Sequence, residues 1–376
     1  MHSAKSETLY VGRPNIGSRE RFLQRVNEMF DRRWLSNDGP LLKEFEQRIA
    51  DLIGVRHVIA VCNATAGIEL ASRALELKGE VIMPSYTFVA TAHALQWQEI
   101  TPVFADMDPA THNIDPAKIE ALITPQTTGI VGVHVWGRAC DTQAIEGIAT
   151  KHKLKVMYDA SHGFGCSVGG RMLGSFGECE VFSFHATKFI NCFEGGVVTT
   201  NNDDLAEKIR LMRNFGFVDY DKVVYLGING KMNEVCAAMG LTNLEAMEEI
   251  VDVNRRNYLT YCEELCSVAG VSVIQYDPAE KNNYQYVVIE VDPDVCTRNR
   301  DEIVEALHAE NVIARKYFWP GCHKMEPYRS LQPNADLLLS ETERIAARVI
   351  VLPTGQTIDS SIVIDICSKI VRFLKV

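Results

Sequence analysis

Lys188 and Asp159 are the residues of this 376-residue sequence whose types and settings are suited to covalent chemistry. Asp159 ends the apolar run Val156-Met157-Tyr158 and opens Asp159-Ala160-Ser161-His162. Lys188 closes Ser183-Phe184-His185-Ala186-Thr187-Lys188, which continues the run Val181-Phe182, and Glu194-Gly195-Gly196 forms a turn soon afterwards. Short apolar runs of this kind read as buried strands, and open α/β sheets collect ligands at the carboxyl ends of their strands. Two such ends can meet over one ring. A buried lysine loses part of its charge and becomes an amine able to form a Schiff base with a carbonyl. A carboxylate against a pyridine nitrogen keeps it protonated, which an electron-sink cofactor requires. Together with the small polar groups nearby, this is the equipment of a pyridoxal phosphate enzyme. Either charge alone would read as a solvated surface group, Ser183 as a plain strand residue, and His162 and His185 as core or surface histidines. The joint placement carries the reading.

A phosphate site fits the same cofactor. Cys62-Asn63-Ala64-Thr65-Ala66-Gly67 follows the apolar run Val58-Ile59-Ala60-Val61 and leads into the helical pattern from Ile68 to Leu75. A strand turning through small residues into a helix presents free N–H groups and the positive end of the helix dipole to an anion. Ala64 and Thr65 are the expected phosphate holders, although Asn63 and Thr65 also suit an ordinary helix cap.

At this point the chain resembles a known family, the fold-type-I, pyridoxal phosphate-dependent sugar aminotransferases of the DegT/DnrJ/EryC1/StrS group, which act on nucleotide-linked keto-sugars. The resemblance runs through Trp34-Leu35-Ser36-Asn37-Asp38-Gly39-Pro40, Cys62 to Ala66, Pro84-Ser85-Tyr86-Thr87-Phe88, Asp159 to His162, Ser183 to Lys188, Glu194-Gly195-Gly196, Asn229-Gly230-Lys231-Met232-Asn233-Glu234, Pro320-Gly321-Cys322-His323 and Leu352-Pro353. It implies that Lys188 carries the cofactor and moves protons, that Asp159 pairs with the pyridine nitrogen, and that Phe88 stacks on the ring. His162 is implied at the phenolic oxygen, with Ser183, Thr65 and the Ala64 amide at the phosphate. Asn229 is implied to reach the phosphate from a neighbouring subunit, making a homodimer with shared active sites. His185, Tyr317 and His323 are implied on the substrate side. Within the family, Val11-Gly12-Arg13-Pro14-Asn15, Val133-His134-Val135-Trp136-Gly137-Arg138, Arg213-Asn214-Phe215-Gly216-Phe217 and Glu326-Pro327-Tyr328-Arg329 resemble enzymes that aminate C4 of dTDP-4-keto-6-deoxy-D-glucose. Dehydratase relatives replace the lysine by histidine; Lys188 therefore favours transamination. Lys231 stands where many relatives carry Arg, and the two cations are not equivalent.

The length and the 47% hydrophobic content allow a large core and suggest two domains. Apolar runs alternate with helical patterns through the first two-thirds, as in Val81-Ile82-Met83, Pro102 to Ala105, Gly129 to Val133 and Lys155 to Tyr158. Short continuous apolar strands between helices predict a largely parallel sheet covered on both faces. The expected architecture is α/β: a large three-layer αβα domain over 1–245, with an N-terminal arm, and a smaller α+β domain over 246–376. Leu241 to Tyr261 reads as one long helix between them. Strands are expected at 271–274 and 286–290, and helices near 300–310 and 358–374.

The first residues lack the apolar core of a signal peptide, and no run reaches membrane-spanning length. Eleven cysteines, an odd number without metal or disulfide spacing, suggest reduced thiols and the cytoplasm, with no metal. A net charge of −11 argues against nucleic acid or an anionic membrane as partner. The implied substrate is a diphosphate, so a local cationic pocket is required against the overall sign; Arg13, Lys231, Arg315 and Lys316 are the candidates.

The resemblance implies a two-step exchange. An amino acid, expected to be L-glutamate, leaves its amino group on the cofactor, and a 4-keto sugar then takes it, with Lys188 as nucleophile and acid/base. Other nucleotide sugars, a C3 ketone, or a non-catalytic cofactor-binding regulator are the alternatives. Intact Lys188 and Asp159 speak against the regulator.

Overall fold

The computed structural model describes residues 7–374; the first six residues, where no export leader is expected, lie outside them. After β1 (Leu9–Tyr10), helices α1 (Arg19–Arg32) and α2 (Pro40–Ile53) lead to β2 (His57–Val61). Then come α3 (Ala64–Ala74), β3 (Glu80–Pro84), α4 (Ala90–Gln96), β4 (Thr101–Ala105), β5 (Thr127–Val133) and β6 (Lys155–Asp159). A small ribbon, β7 (Ser167–Val168) with β8 (Arg171–Met172), precedes β9 (Cys179–Ser183) and β10 (Gly196–Thr200).

Seven of these strands form one sheet in the order β2-β10-β9-β6-β5-β3-β4. Only β10 runs against the rest. The reason is its connection: β9 and β10 are joined by a helix-free loop closed by Phe184 N–H to Gly195 O (2.8 Å), and a connection without a crossover returns antiparallel. The expected turn at Gly195-Gly196 is thus also the start of a strand.

The apolar runs sort their side chains alternately onto two faces. Ala60, Ile82, Ile130, Val156, Phe182 and Val197 join one buried cluster, while their neighbours Ile59, Val81, Val131, Met157, Val181 and Val198 join another. The predicted double-sided cover is therefore present. Hairpin β11 (Phe217–Asp219) and β12 (Lys222–Val223) stands out from this body with exposed side chains.

Beyond it, β13 (Val271–Val273), β14 (Val287–Val291), β15 (Val312–Ile313) and β16 (Val349–Leu352) build the second layer, with β13-β14-β16 antiparallel. Tyr261, Val287, Ile289, Leu307 and Ile366 form a separate core there. β1 pairs in parallel with β15, so the N-terminal arm is stitched to this second layer. The single helix expected over 241–261 is instead two, Glu234–Glu245 and Met247–Leu265. Ala246 leaves helical geometry (φ −98°, ψ 7°) and its N–H bonds back three residues to Asn243, which resets the register.

Helix α3 sits directly on the sheet because Gly67 has no side chain. A Cβ there would lie 2.8 Å from Val181 Cγ1 and 3.3 Å from Val61 Cγ2. Gly67→Ala should push the amino end of α3 off the sheet, destabilising by about 1–3 kcal/mol. A lower thermal unfolding midpoint and weaker phosphate binding check this; an unchanged midpoint would show that the contact relaxes freely.

Candidate active site

The carboxyl ends of β2, β5, β6 and β9 open onto one cavity of about 530 Å3. Of the sequence-predicted residues, Ala64, Thr65, Phe88, Asp159, His162, Ser183, His185, Lys188 and Tyr317 line it. Asn63, placed by β2, caps α3 by accepting from Ala66 N (2.8 Å), which leaves the first N–H groups of the helix beside Ala64 and Thr65 free for an anion. Gly196 of β10 lies against this turn; a Cβ on it would be 2.7 Å from Ala64 N, so the cradle depends on its absence.

Asp159 is buried at the last position of β6 and is fixed from two sides. Thr91 Oγ1, on α4, donates to Oδ2 (2.7 Å), and Ser161 N–H donates to Oδ1 (3.0 Å). No ion pair within 4.0 Å joins it to Lys188 among the described residues. Lys188 sits on the turn after β9, where its own N–H bonds to His185 O, and its Nζ donates to Tyr286 Oη (3.3 Å). Burial of the amine brings Lys188 down to about 8, partly opposed by the charges of Asp159 and Tyr317. An amine so placed is available as a nucleophile near neutral pH.

His162 is packed among Trp136, Tyr286 and Phe318, with the Trp136 and Phe318 rings nearly parallel to it. Its Nδ1 accepts from Trp136 N–H (3.2 Å), which assigns the ring proton to Nε2. Burial, reinforced by Lys188, holds it well below the usual histidine value, so it is a neutral donor. Ser183 Oγ accepts from His185 N–H (3.3 Å), and His185 shares Nδ1 with Thr187 Oγ1 (2.9 Å). Phe88 is exposed and is part of the cavity lining.

Four expected residues lie elsewhere. His323, expected on the substrate side, is buried behind the wall, with Nδ1 on Ser85 Oγ (2.7 Å) and Nε2 near Glu343 (3.3 Å). Both ring nitrogens are occupied, and the ring clasps the 84–88 loop to the 320s segment. Arg13 pairs with Glu7 (2.7 Å). Lys231 Nζ donates to Asn214 Oδ1 (2.8 Å) over the Phe215 ring, and Asn229 bridges Asn214 by its backbone. None of the four lines the cavity of a single chain. Conversely, Thr91, Tyr286 and Phe318 support the site without having been singled out, and Trp136 stood out only within the segment Val133 to Arg138. They look like ordinary core or strand residues until the chain is folded, and Arg315 was legible only as one of four cations.

A lysine, a carboxylate, a neutral imidazole and a helix amino end around one cavity suit pyridoxal phosphate: they would offer matching groups to its carbonyl carbon, ring nitrogen, phenolic oxygen and phosphate. Fold and site together define a pyridoxal phosphate-dependent aminotransferase. Residues 17–371 match the DegT/DnrJ/EryC1/StrS aminotransferase family, and the chain belongs to it. It is 37% identical over 362 residues to the dTDP-4-amino-4,6-dideoxy-D-glucose transaminase of Shigella dysenteriae, covering 96% of this chain and 98% of that one. It is 36% identical to the GDP-perosamine synthase of Caulobacter vibrioides over 88% of this chain and 89% of that one. The crystal structure of DesI in the presence of its TDP-sugar product superposes with a TM-score of 0.94, at 49% identity over 98% of this chain and 94% of that one. The protein is a sugar aminotransferase with pyridoxal phosphate as cofactor. Among the described residues, no helix is long and apolar enough to cross a membrane.

Two outcomes follow from the site's electrostatics. Loading of the cofactor-free protein should accelerate with pH through a midpoint near 8, because the neutral amine is the reactive form and burial has lowered Lys188 to about 8. Absorbance of the bound cofactor reads this, and a midpoint near 10 would contradict the burial argument. Thr91→Val removes a hydrogen bond to the buried Asp159 carboxylate, worth about 1.5–3 kcal/mol. Cofactor affinity should drop by roughly tenfold or more at unchanged fold, as equilibrium dialysis would show.

Proposed function

We propose that this enzyme transfers the amino group of L-glutamate to C4 of dTDP-4-keto-6-deoxy-D-glucose, giving dTDP-4-amino-4,6-dideoxy-D-glucose. The observation that carries the reading is the buried Lys188 amine sharing a cavity with a separately held Asp159. The choice of sugar is supported by relatives from Shigella dysenteriae and Escherichia coli named for forming that product, 37% and 34% identical over 96% of this chain. The GDP-perosamine synthase relative favours a second reading, in which the acceptor carries GDP.

Bound pyridoxal phosphate supplies the electron sink and carries the amino group from donor to acceptor. The chain's residues do the rest. Lys188 would hold the cofactor between turnovers and give up its place to the donor amine. Its freed amine takes the proton from Cα of glutamate; in the second half it returns a proton to C4 of the sugar. Asp159, fixed by Thr91 and Ser161, keeps the ring nitrogen protonated. His162 would donate from Nε2 to the phenolic oxygen, and Phe88 would stack on the ring. Ala64, Thr65 and Ser183 would hold the phosphate. Arg315, a cation lining the cavity, suits a donor with a second carboxylate, while His185 and Tyr317 stand at the sugar side.

We read the working unit as a homodimer with shared sites, located in the cytoplasm. Exposed Phe217, Tyr220, Val223 and Leu226 on the β11–β12 hairpin and its flank support an apolar contact with a second copy. Asn229, Lys231 and Arg13 lie outside their own chain's cavity, which leaves them to serve a neighbour's. Eleven unpaired thiols fit a reducing compartment.

The deciding experiment offers the aminated enzyme a panel of dTDP-, UDP- and GDP-linked 4-keto and 3-keto sugars and identifies products by mass spectrometry and NMR. Amination of the dTDP-4-keto sugar ahead of the others is expected; preference for a GDP sugar would replace the acceptor. Lys188→Ala should remain folded and bind cofactor while losing at least ~10²–10⁴-fold in turnover. Mixed with inactive Asn229→Ala chains, it should regain about a quarter of parental activity, since a heterodimer carries both defects in one site and none in the other. No recovery after demonstrated subunit exchange would exclude shared sites.

A further inference from the structure

Trp136, His112 and Glu290 form a hydrogen-bonded chain behind the cofactor cavity that no catalytic step uses. Trp136 Nε1–H donates to His112 Nδ1 (3.1 Å), and His112 Nε2 lies 3.0 Å from Glu290 Oε1. Because Nδ1 accepts from the indole, the His112 ring proton is on Nε2 and is donated to the carboxylate. The indole and the imidazole are both fully buried. His112 comes from the segment between β4 and β5 and Glu290 from β14, so the chain crosses from the large sheet's layer to the three-stranded one.

The backbone at Trp136 is where this chain acts. Trp136 is left-handed (φ 63°, ψ 8°), an outlier for a bulky side chain, and such a conformation persists only where the surroundings impose it. Asn113 holds the two ends of the turn: it accepts from Val135 N–H (2.9 Å) and donates to Arg138 O (3.0 Å) and Ala139 O (2.9 Å). The middle is held at Trp136 itself, by the indole bond to His112 and by the Tyr276 hydroxyl on its carbonyl (3.1 Å). In this conformation the Trp136 N–H meets His162 Nδ1 (3.2 Å), while the indole lies along the imidazole, 18° from parallel. One residue thus sets both the tautomer and the tilt of His162, and His112 holds that residue.

We propose that His112 is a positioning residue for the reaction: it anchors the Trp136 indole, so that the Trp136 N–H stays on His162 Nδ1 and the His162 proton stays on Nε2. That is the nitrogen read above as facing the cofactor's phenolic oxygen. Glu290 in turn fixes the tautomer of His112, which makes the second layer a determinant of the imidazole in the first. The link to the cofactor rests on the reading of His162 given above, whereas the state of His162 itself can be observed in the cofactor-free protein.

The test records the His162 tautomer by NMR of cofactor-free protein isotope-labelled at the histidine ring nitrogens, with His162→Gln assigning the signals, and measures pyridoxal phosphate affinity by equilibrium dialysis. The parent should show His162 with Nδ1 bare and Nε2 protonated. His112→Leu should turn this into a mixture of both tautomers and weaken pyridoxal phosphate about 2- to 13-fold, the range that one neutral hydrogen bond spans. His112→Asn should restore the single tautomer, since its amide oxygen can accept from the indole and Asn tolerates the positive φ that His112 adopts. Trp136→Phe keeps a ring but loses the donor; it should match His112→Leu, and the double variant should add nothing further. Should His112→Leu fail to fold, Trp136→Phe decides alone. A single Nε2–H tautomer in His112→Leu or Trp136→Phe, no restoration by His112→Asn, or additive losses in the double variant would overturn the assignment. A mixed tautomer at parental cofactor affinity would keep His112 in its role and remove the phenolic-oxygen contact read for His162.

Discussion

The site depends on keeping a buried amine and a buried carboxylate within one cavity without letting them neutralise each other. A direct Lys188–Asp159 pair would hold the amine charged and tie up the carboxylate. The fold avoids it by giving each a different partner: Asp159 accepts from Thr91 and Ser161, while Lys188 donates to Tyr286. Burial then acts on the lysine with only partial opposition. Both groups thus stay available for the nucleophile and counter-charge roles proposed for them.

That separation requires rigid walls, and an aromatic cluster supplies them. Trp136, His162, Tyr286 and Phe318 pack against one another at centroid distances of 4.4–5.9 Å. Tyr276 Oη ties Trp136 O (3.1 Å) to Tyr286 O (2.8 Å). These side chains come from both layers of the molecule, so the large sheet and the three-stranded sheet jointly hold one imidazole neutral. The Ser85–His323–Glu343 chain does the same for the loop that carries Phe88. The cavity between the layers is thus a product of their docking.

Much of the frame was legible before folding. The apolar runs at 58–61, 81–83, 129–133 and 156–158 became parallel strands because each is long enough for a buried strand and too short for a helix, with helix signals between. β10 was not legible: its direction depends on how its loop closes, and a pair of glycines reads the same in a turn or at a strand start. The break at Ala246 was equally hidden, since helical spacing continues across it and only local hydrogen bonding shows the restart.

The sequence alone determined the chemistry available: a lysine and an aspartate at two strand ends, a capped turn for phosphate, and the motif order that places the chain in its family. These are properties of residue type and spacing, and spacing along a strand survives folding. The tertiary structure decided the neighbours. It alone showed that Thr91 holds Asp159, that His323 faces Ser85 rather than the cavity, and that Arg13 and Lys231 stand away from their own chain's site. The Thr91–Asp159 and Ser85–His323 contacts join residues 68 and 238 positions apart, and which side chains meet at that range is fixed by how the layers pack.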